Sequence, residues 1–158
     1  MIVLKFGKEI KGDATSAGYK DQIVLNSVVF SAARMVTVPN GSTARETGVP
    51  SFTEVVCSKQ YDIASTELFM QSISGASLEK ATLTYLQTDT QGNPEPFLII
   101  TLTDPIVTSY ANSSSGDKPS ETFQLNFTKI EMAYTQYSGE GSKKASPKGW
   151  DLLAAKAA

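Results

Sequence analysis

Gln22-Ile-Val-Leu-Asn-Ser-Val-Val-Phe-Ser-Ala-Ala-Arg34 is the stretch that decides the fold class. It is rich in β-branched residues and contains neither glycine nor proline, so it reads as a strand rather than a helix. Alternate residues of a strand face opposite sides, which puts Ile23, Leu25 and Val29 on one face and Val24, Val28 and Phe30 on the other. Both faces are partly apolar, and both are expected to touch protein.

Reading outward, Ile2 to Phe6 is a short apolar strand, and the polar stretch carrying Gly7, Gly12 and Gly18 is a loop. On the other side, Val38 to Pro50 has a proline near each end and few apolar anchors, and loops of this length are uncommon in a compact domain unless they are functional or disordered. Phe52 to Lys59 returns to strand character. A change of period then marks one helix: Ser65 is its N-cap, Glu67 lies in the first turn where the dipole favours a carboxylate, and Gly75 stops it. Leu68, Phe69 and Ile73 share a helix face and are expected to be buried together. Ala81 to Tyr85 and Phe97 to Tyr110 form a hairpin across the turn residues Thr88 to Pro94, with Asp104-Pro105 interrupting the second strand. Thr122 to Tyr137 is a last long strand whose apolar parity shifts between Phe127 and Ile130, as at a bulge or a barrel corner. The expectation is about seven strands and one short helix, without internal repeats. The fold class is mostly β: a barrel-like or two-sheet antiparallel domain with one short α-helix, as a single domain over 1–158.

The composition of the 158-residue chain is that of a folded domain, with 41% hydrophobic and 19% charged residues. A chain of this size buries roughly 70% of its unfolded surface and needs no metal or disulfide staple. A net charge of −2 supplies no field that attracts nucleic acid and little repulsion against close stacking of copies. Cys57 is the lone cysteine, which excludes an internal disulfide and a thiolate-built zinc site. The apolar start is too short for a signal peptide, and no apolar run approaches the roughly 20 residues of a membrane helix. No membrane insertion is expected.

The absence of histidine removes His-dependent triads and the common zinc and iron motifs. Ser77-Leu-Glu-Lys80 matches the S-x-x-K spacing of penicillin-recognising enzymes, but its companion motifs are missing and a solvated loop is the simpler reading. Gly139 to Lys144 fails the spacing of a phosphate loop. Asp62, Glu67 and Asp104 each have a simpler task in a turn, a helix start and a strand break than in paired-carboxylate catalysis. Neither an enzyme nor a cofactor or metal is expected.

Several segments, in their order and spacing, carry a family resemblance. They are Ser58 to Asp62 leading into the helix, Leu98-Ile-Ile-Thr-Leu102 with Ile106-Val-Thr-Ser-Tyr110, Glu121 to Phe127 with Ile130 to Tyr134, a glycine and lysine loop, and Gly149-Trp150-Asp151. Over the whole chain the sequence resembles the haemolysin-coregulated protein (Hcp) family, the tube subunits of type VI secretion. The resemblance implies a homohexameric ring whose copies stack into a hollow tube, expelled by a contractile sheath with a spike protein at its tip. It implies a lumen that carries or shelters small effector proteins, and a protein that is cytoplasmic before firing and then secreted without a signal peptide. By position, Ser27, Val29 and Ser31 look like lumen-facing residues, with Ser27 and Val29 as effector contacts. Val38, Asn40, Thr43, Arg45, Glu46 and Val49 fall in what looks like the family's extended loop, which reaches a neighbouring subunit. Two other readings remain open: a tail-tube-like protein of a phage-related contractile device, and a monomeric β-sandwich that binds a ligand.

Overall fold

The structure, a computed structural model, describes residues 1–41, 44–138 and 141–158. Thr43, expected at an interface, lies outside the described residues, as do Ser42, Gly139 and Glu140. The strands of the first part are β1 (Ile2–Phe6), β2 (Ile23–Leu25), β3 (Ser27–Val29), β4 (Ala32–Ala33), β5 (Val36–Thr37), β6 (Glu46–Thr47), β7 (Ser51–Phe52) and β8 (Val55–Gln60). Helix α1 (Ser65–Ser74) follows. Then come β9 (Lys80–Thr88), β10 (Pro94–Thr103), β11 (Ile106–Ser113), β12 (Ser120–Asn126), β13 (Lys129–Ser138), β14 (Gly141–Lys144), β15 (Lys148–Asp151) and β16 (Lys156–Ala157).

Two antiparallel sheets enclose one core. The larger has eight strands in the order β16-β15-β13-β10-β9-β1-β2, with β14 on β13, and the smaller has four in the order β11-β12-β8-β3. Leu4, Ile23, Leu83, Ile100 and Leu102 of the first meet Val55, Cys57, Phe123 and Leu125 of the second. Val3 and Leu86 point to the opposite side, where Ala14 and Tyr19 of the Gly-containing first loop cover them.

The long strands expected from the sequence are cut at the points where the chain passes from one sheet to the other. Gln22 to Arg34 is not one strand: β2 belongs to the eight-stranded sheet and β3 to the four-stranded one, with the Asn26 N–H bonded to the Ser58 carbonyl at 2.8 Å between them. The crossing reverses the parity, so Ile23 and Leu25 point inward while Val29 points outward. A second crossing falls at Asp104-Pro105, where Asp104 adopts φ 48°, a left-handed conformation that aspartate tolerates better than most residues. The third is the shift between Phe127 and Ile130, which separates β12 from β13. Such corners turn two sheets into a barrel-like enclosure.

Helix α1 corrects two expectations. Its N-cap position is Ala64, not Ser65, and Ser65 is fully buried inside the first turn. Leu68 enters the core, whereas Phe69 and Ile73 stand 47% and 64% exposed. The stop at Gly75 is as expected, with φ 63° and its N–H bonded to the Gln71 carbonyl.

Candidate functional site: the four-stranded face and its arm

The four-stranded sheet has an inner and an outer side, and the ladder register assigns residues to each. Val55, Cys57, Glu121, Phe123 and Leu125 point inward. On the outer side Ser27, Ser58, Thr122 and Ala111 form one row across the strands, and Val29, Val56, Gln124 and Ser109 the next. Neither row contains a charged side chain. Ser27 and Ser58 share a hydroxyl hydrogen bond of 2.6 Å, and Val29 is 62% exposed. At the end of this face Glu54 accepts from Thr108 Oγ1 at 2.7 Å and from Asn126 Nδ2 at 3.3 Å, so its carboxylate is engaged locally.

Of the three residues expected on one face, Ser27 and Val29 come together there. Ser31 lies beyond the end of β3, where its N–H donates to Thr53 Oγ1 at 2.8 Å and its carbonyl accepts from the Thr53 N–H at 3.0 Å. That pair pins the root of an arm. Of the Val38 to Pro50 segment, read as a long connection, Glu46 and Thr47 form β6 in a two-stranded ribbon in which β4 pairs with β7 and β5 with β6, and the other described residues lie outside strands. Glu46 pairs with Thr37, Arg45 precedes it, and Asn40 sits in the turn. Val38 and Val49 are 61% and 71% exposed, and Met35 is 75% exposed, so the arm presents apolar side chains to its surroundings. Phe52 holds its root against Phe127 with ring centroids 6.3 Å apart.

Beneath the face lies a cluster that the sequence reading missed. Lys59 of β8 is fully buried, and its Nζ donates to Glu121 Oε1 at 2.5 Å, Asp62 Oδ1 at 2.7 Å, the Gln60 carbonyl at 2.9 Å and Ser65 Oγ at 3.2 Å. Tyr110 donates to Glu121 Oε2 at 2.6 Å. Burial first, and then this bond to the carboxylate, holds the tyrosine hydroxyl above its ordinary range. The cluster ties β8, β11 and β12 to the start of α1, and Phe69 packs edge-on against Tyr110 at 5.8 Å. The signal was present: Lys59 continues the inward parity of Val55 and Cys57, and Glu121 that of Phe123 and Leu125. Opposite charges on two inward-facing strands are stable only when they meet.

The tempting chemistry is dispersed. Ser77 Oγ accepts from the Glu79 N–H at 3.1 Å and lies 3.5 Å from Asp104, which makes it a turn residue. Asp62 is bonded to Lys59, and Glu67 to Gln71 one helical turn on. Burial pushes the Cys57 thiol up to about 12, which leaves it protonated and inert at neutral pH. Among the described residues no group of three or more His, Cys, Asp or Glu could hold a metal ion.

Comparison with known proteins places this geometry. A family model described as "Type VI secretion system effector, Hcp" matches residues 3–134. Protein hcp1 of Pseudomonas aeruginosa is 31% identical over 98 residues, a match that spans 60% of this chain and 60% of the relative's length. Hcp1 from Salmonella typhimurium superposes with a TM-score of 0.77 and 26% identity, over 99% of this chain and 97% of that one. A solved type six secretion system protein superposes with a TM-score of 0.89 over 99% and 98% of the two chains; at 21% identity it bears on the fold alone. With a family model matched over most of its length, the chain belongs to the Hcp family of type VI secretion system proteins.

Proposed function

We propose that the chain is a non-catalytic structural subunit that closes with copies of itself into a homohexameric ring, and that such rings stack into the inner tube of type VI secretion. The observation that carries this reading is the four-stranded sheet, whose two outer edges are unlike and unpaired among the described residues: the long β11 on one side and the short β3 on the other. An edge is a template for another strand. Unlike edges favour head-to-tail contacts, which generate rings when the rotation closes.

Two further features support the reading. The arm grows directly from β3, so an apolar ribbon extends from one of the two edges. The inner side of the eight-stranded sheet is also longer than the four-stranded sheet that covers it. Tyr85, Leu98 and Tyr134 stand side by side across β9, β10 and β13, yet Tyr134 is 50% exposed and Met132 is 40% exposed. An apolar row uncovered by its own chain is the kind of surface that a second copy buries.

In this arrangement the uncharged outer face carrying Ser27 and Val29 lines the lumen, where it contacts effector proteins without a strong field of either sign. Val38, Asn40, Arg45, Glu46 and Val49 of the arm reach the neighbouring subunit, and Thr43 belongs to the same segment. The sheath, the spike protein and the effectors are the outside partners, and the protein is cytoplasmic until it is expelled. Native mass spectrometry tests the core of the proposal: a particle near six times the 16.9 kDa chain mass is expected. Monomer alone across micromolar concentrations refutes it.

A further inference from the structure

The arm has a joint. Near its root Ala32 pairs with Phe52 and Ala33 with Ser51; farther out Val36 pairs with Thr47 and Thr37 with Glu46. Between these ladders Arg34 and Met35 face the longer stretch Gly48, Val49 and Pro50. The extra residue on the returning strand breaks the register, and Pro50 has no N–H with which to rebuild it. The Gly48 N–H to Met35 carbonyl bond, 2.9 Å, is the backbone link across the gap. A two-stranded ribbon is marginal by itself, and an interrupted one bends most readily where its pairing stops.

At that gap the Arg34 guanidinium lies over the ring of Trp150, 5.9 Å from its centroid. Trp150 is on β15, paired with Ile130 of β13 on one side and Ala157 of β16 on the other. Next to it, Gly149 approaches β13 so closely that a Cβ would sit 2.5 Å from the Ile130 carbonyl oxygen. The indole is therefore mounted on the eight-stranded sheet, while the guanidinium rides on the arm. Gly48, Val49, Pro50 and Ala155 close a shallow cleft around the pair.

We propose that Arg34 and Trp150 form a brace across this joint, fixing the outer half of the arm to the barrel so that the arm is aimed before it meets another subunit. Both act as positioning residues. A guanidinium over an indole is attracted by the ring quadrupole and can stack on it flat, which suits a contact that must hold a direction. Fixing the direction in the free subunit removes ordering that would otherwise be lost on association. The consequence for assembly rests on the ring reading above, whereas the brace itself does not.

The test compares the full chain with Arg34→Gln and Arg34→Lys. Arg34 is exposed, so neither substitution touches the core. Amide hydrogen exchange at Thr37, Glu46 and Gly48, the amides that the register turns towards the partner strand, should be roughly two- to fivefold faster in Arg34→Gln, the factor that an exposed cation–π contact carries. Exchange in β1, β9 and β10 should not change, and Arg34→Lys, which keeps the charge but cannot stack flat on the indole, should restore only part of the protection. Trp150 is the sole tryptophan, so its emission reports the same loss directly. Arm exchange and tryptophan emission equal to wild type in Arg34→Gln overturn the brace. Where wild type forms rings, Arg34→Gln should need a higher protomer concentration to form them. A wild-type chain that forms none refutes the ring reading and leaves the exchange result to decide the brace.

Discussion

Replacing Lys59 by methionine should destabilise the fold by about 3–5 kcal/mol, the cost of breaking a buried ion pair by removing one partner. Methionine is close to lysine in length and fills the same space, so the loss is not a cavity effect. Glu121 would keep Ser65 Oγ at 3.0 Å and the Tyr110 hydroxyl at 2.6 Å, but its charge and that of Asp62 would be left in the interior without a cation. For a domain of this size about 2–4 °C accompany each kcal/mol, so the melting temperature should fall by roughly 6–20 °C. Urea or thermal unfolding at one fixed protomer concentration is the assay, because assembly raises apparent stability with concentration. Lys59→Met combined with Glu121→Leu should be less destabilised than the sum of the two single variants, with a coupling of about 2 kcal/mol. A Lys59→Met protein within about 1 kcal/mol of wild type, or strictly additive variants, would refute the reasoning.

Two further expectations follow from burial. Leu68→Ala should cost about 2–5 kcal/mol, whereas Ile73→Ala, at a position 64% exposed, should stay within about 0.5 kcal/mol, as urea midpoints would reveal. Burial holds the Cys57 thiol protonated up to about 12, while the unfolded chain releases that proton near the ordinary 9.0. Its contribution is therefore whole below pH 9 and lost progressively towards pH 12, and Cys57→Ala should flatten the fall of stability over that window in pH-dependent denaturation.

Most of what the sequence displays is local, and the helix stop and the strand alternation are legible from it, although the helix cap is Ala64, one residue before the Ser65 that the sequence suggests. Gly75 ends the helix because a left-handed residue is needed there, and Ala81, Leu83 and Tyr85 alternate because β9 has one face on the core. The parity shift after Phe127 was visible as a corner. Its counterpart at Asn26 was hidden, since Ile23, Leu25 and Val29 keep a single alternation across it while the chain changes sheets. Phe69 and Ile73 share a helical face with Leu68, but spacing tells only which residues share a face, not what that face meets, and both stand exposed. Ser27 and Val29 could be placed together by their spacing, but that Ser31 pins the arm depends on Thr53, in the returning strand.

Alternation, turn chemistry and helix stops act over a few residues, so the β character of the chain, its single helix, several of its turns and its family are legible in the residues alone, whereas the ends of the strands are not. Tertiary structure alone decided which side each strand turns inward, that Lys59 finds Glu121 sixty-two positions away, and that Arg34 lies over Trp150. A side chain's partner across the fold is set by how sheets stack and where the chain crosses between them. That is a property of the whole core, carried by no short stretch of residues.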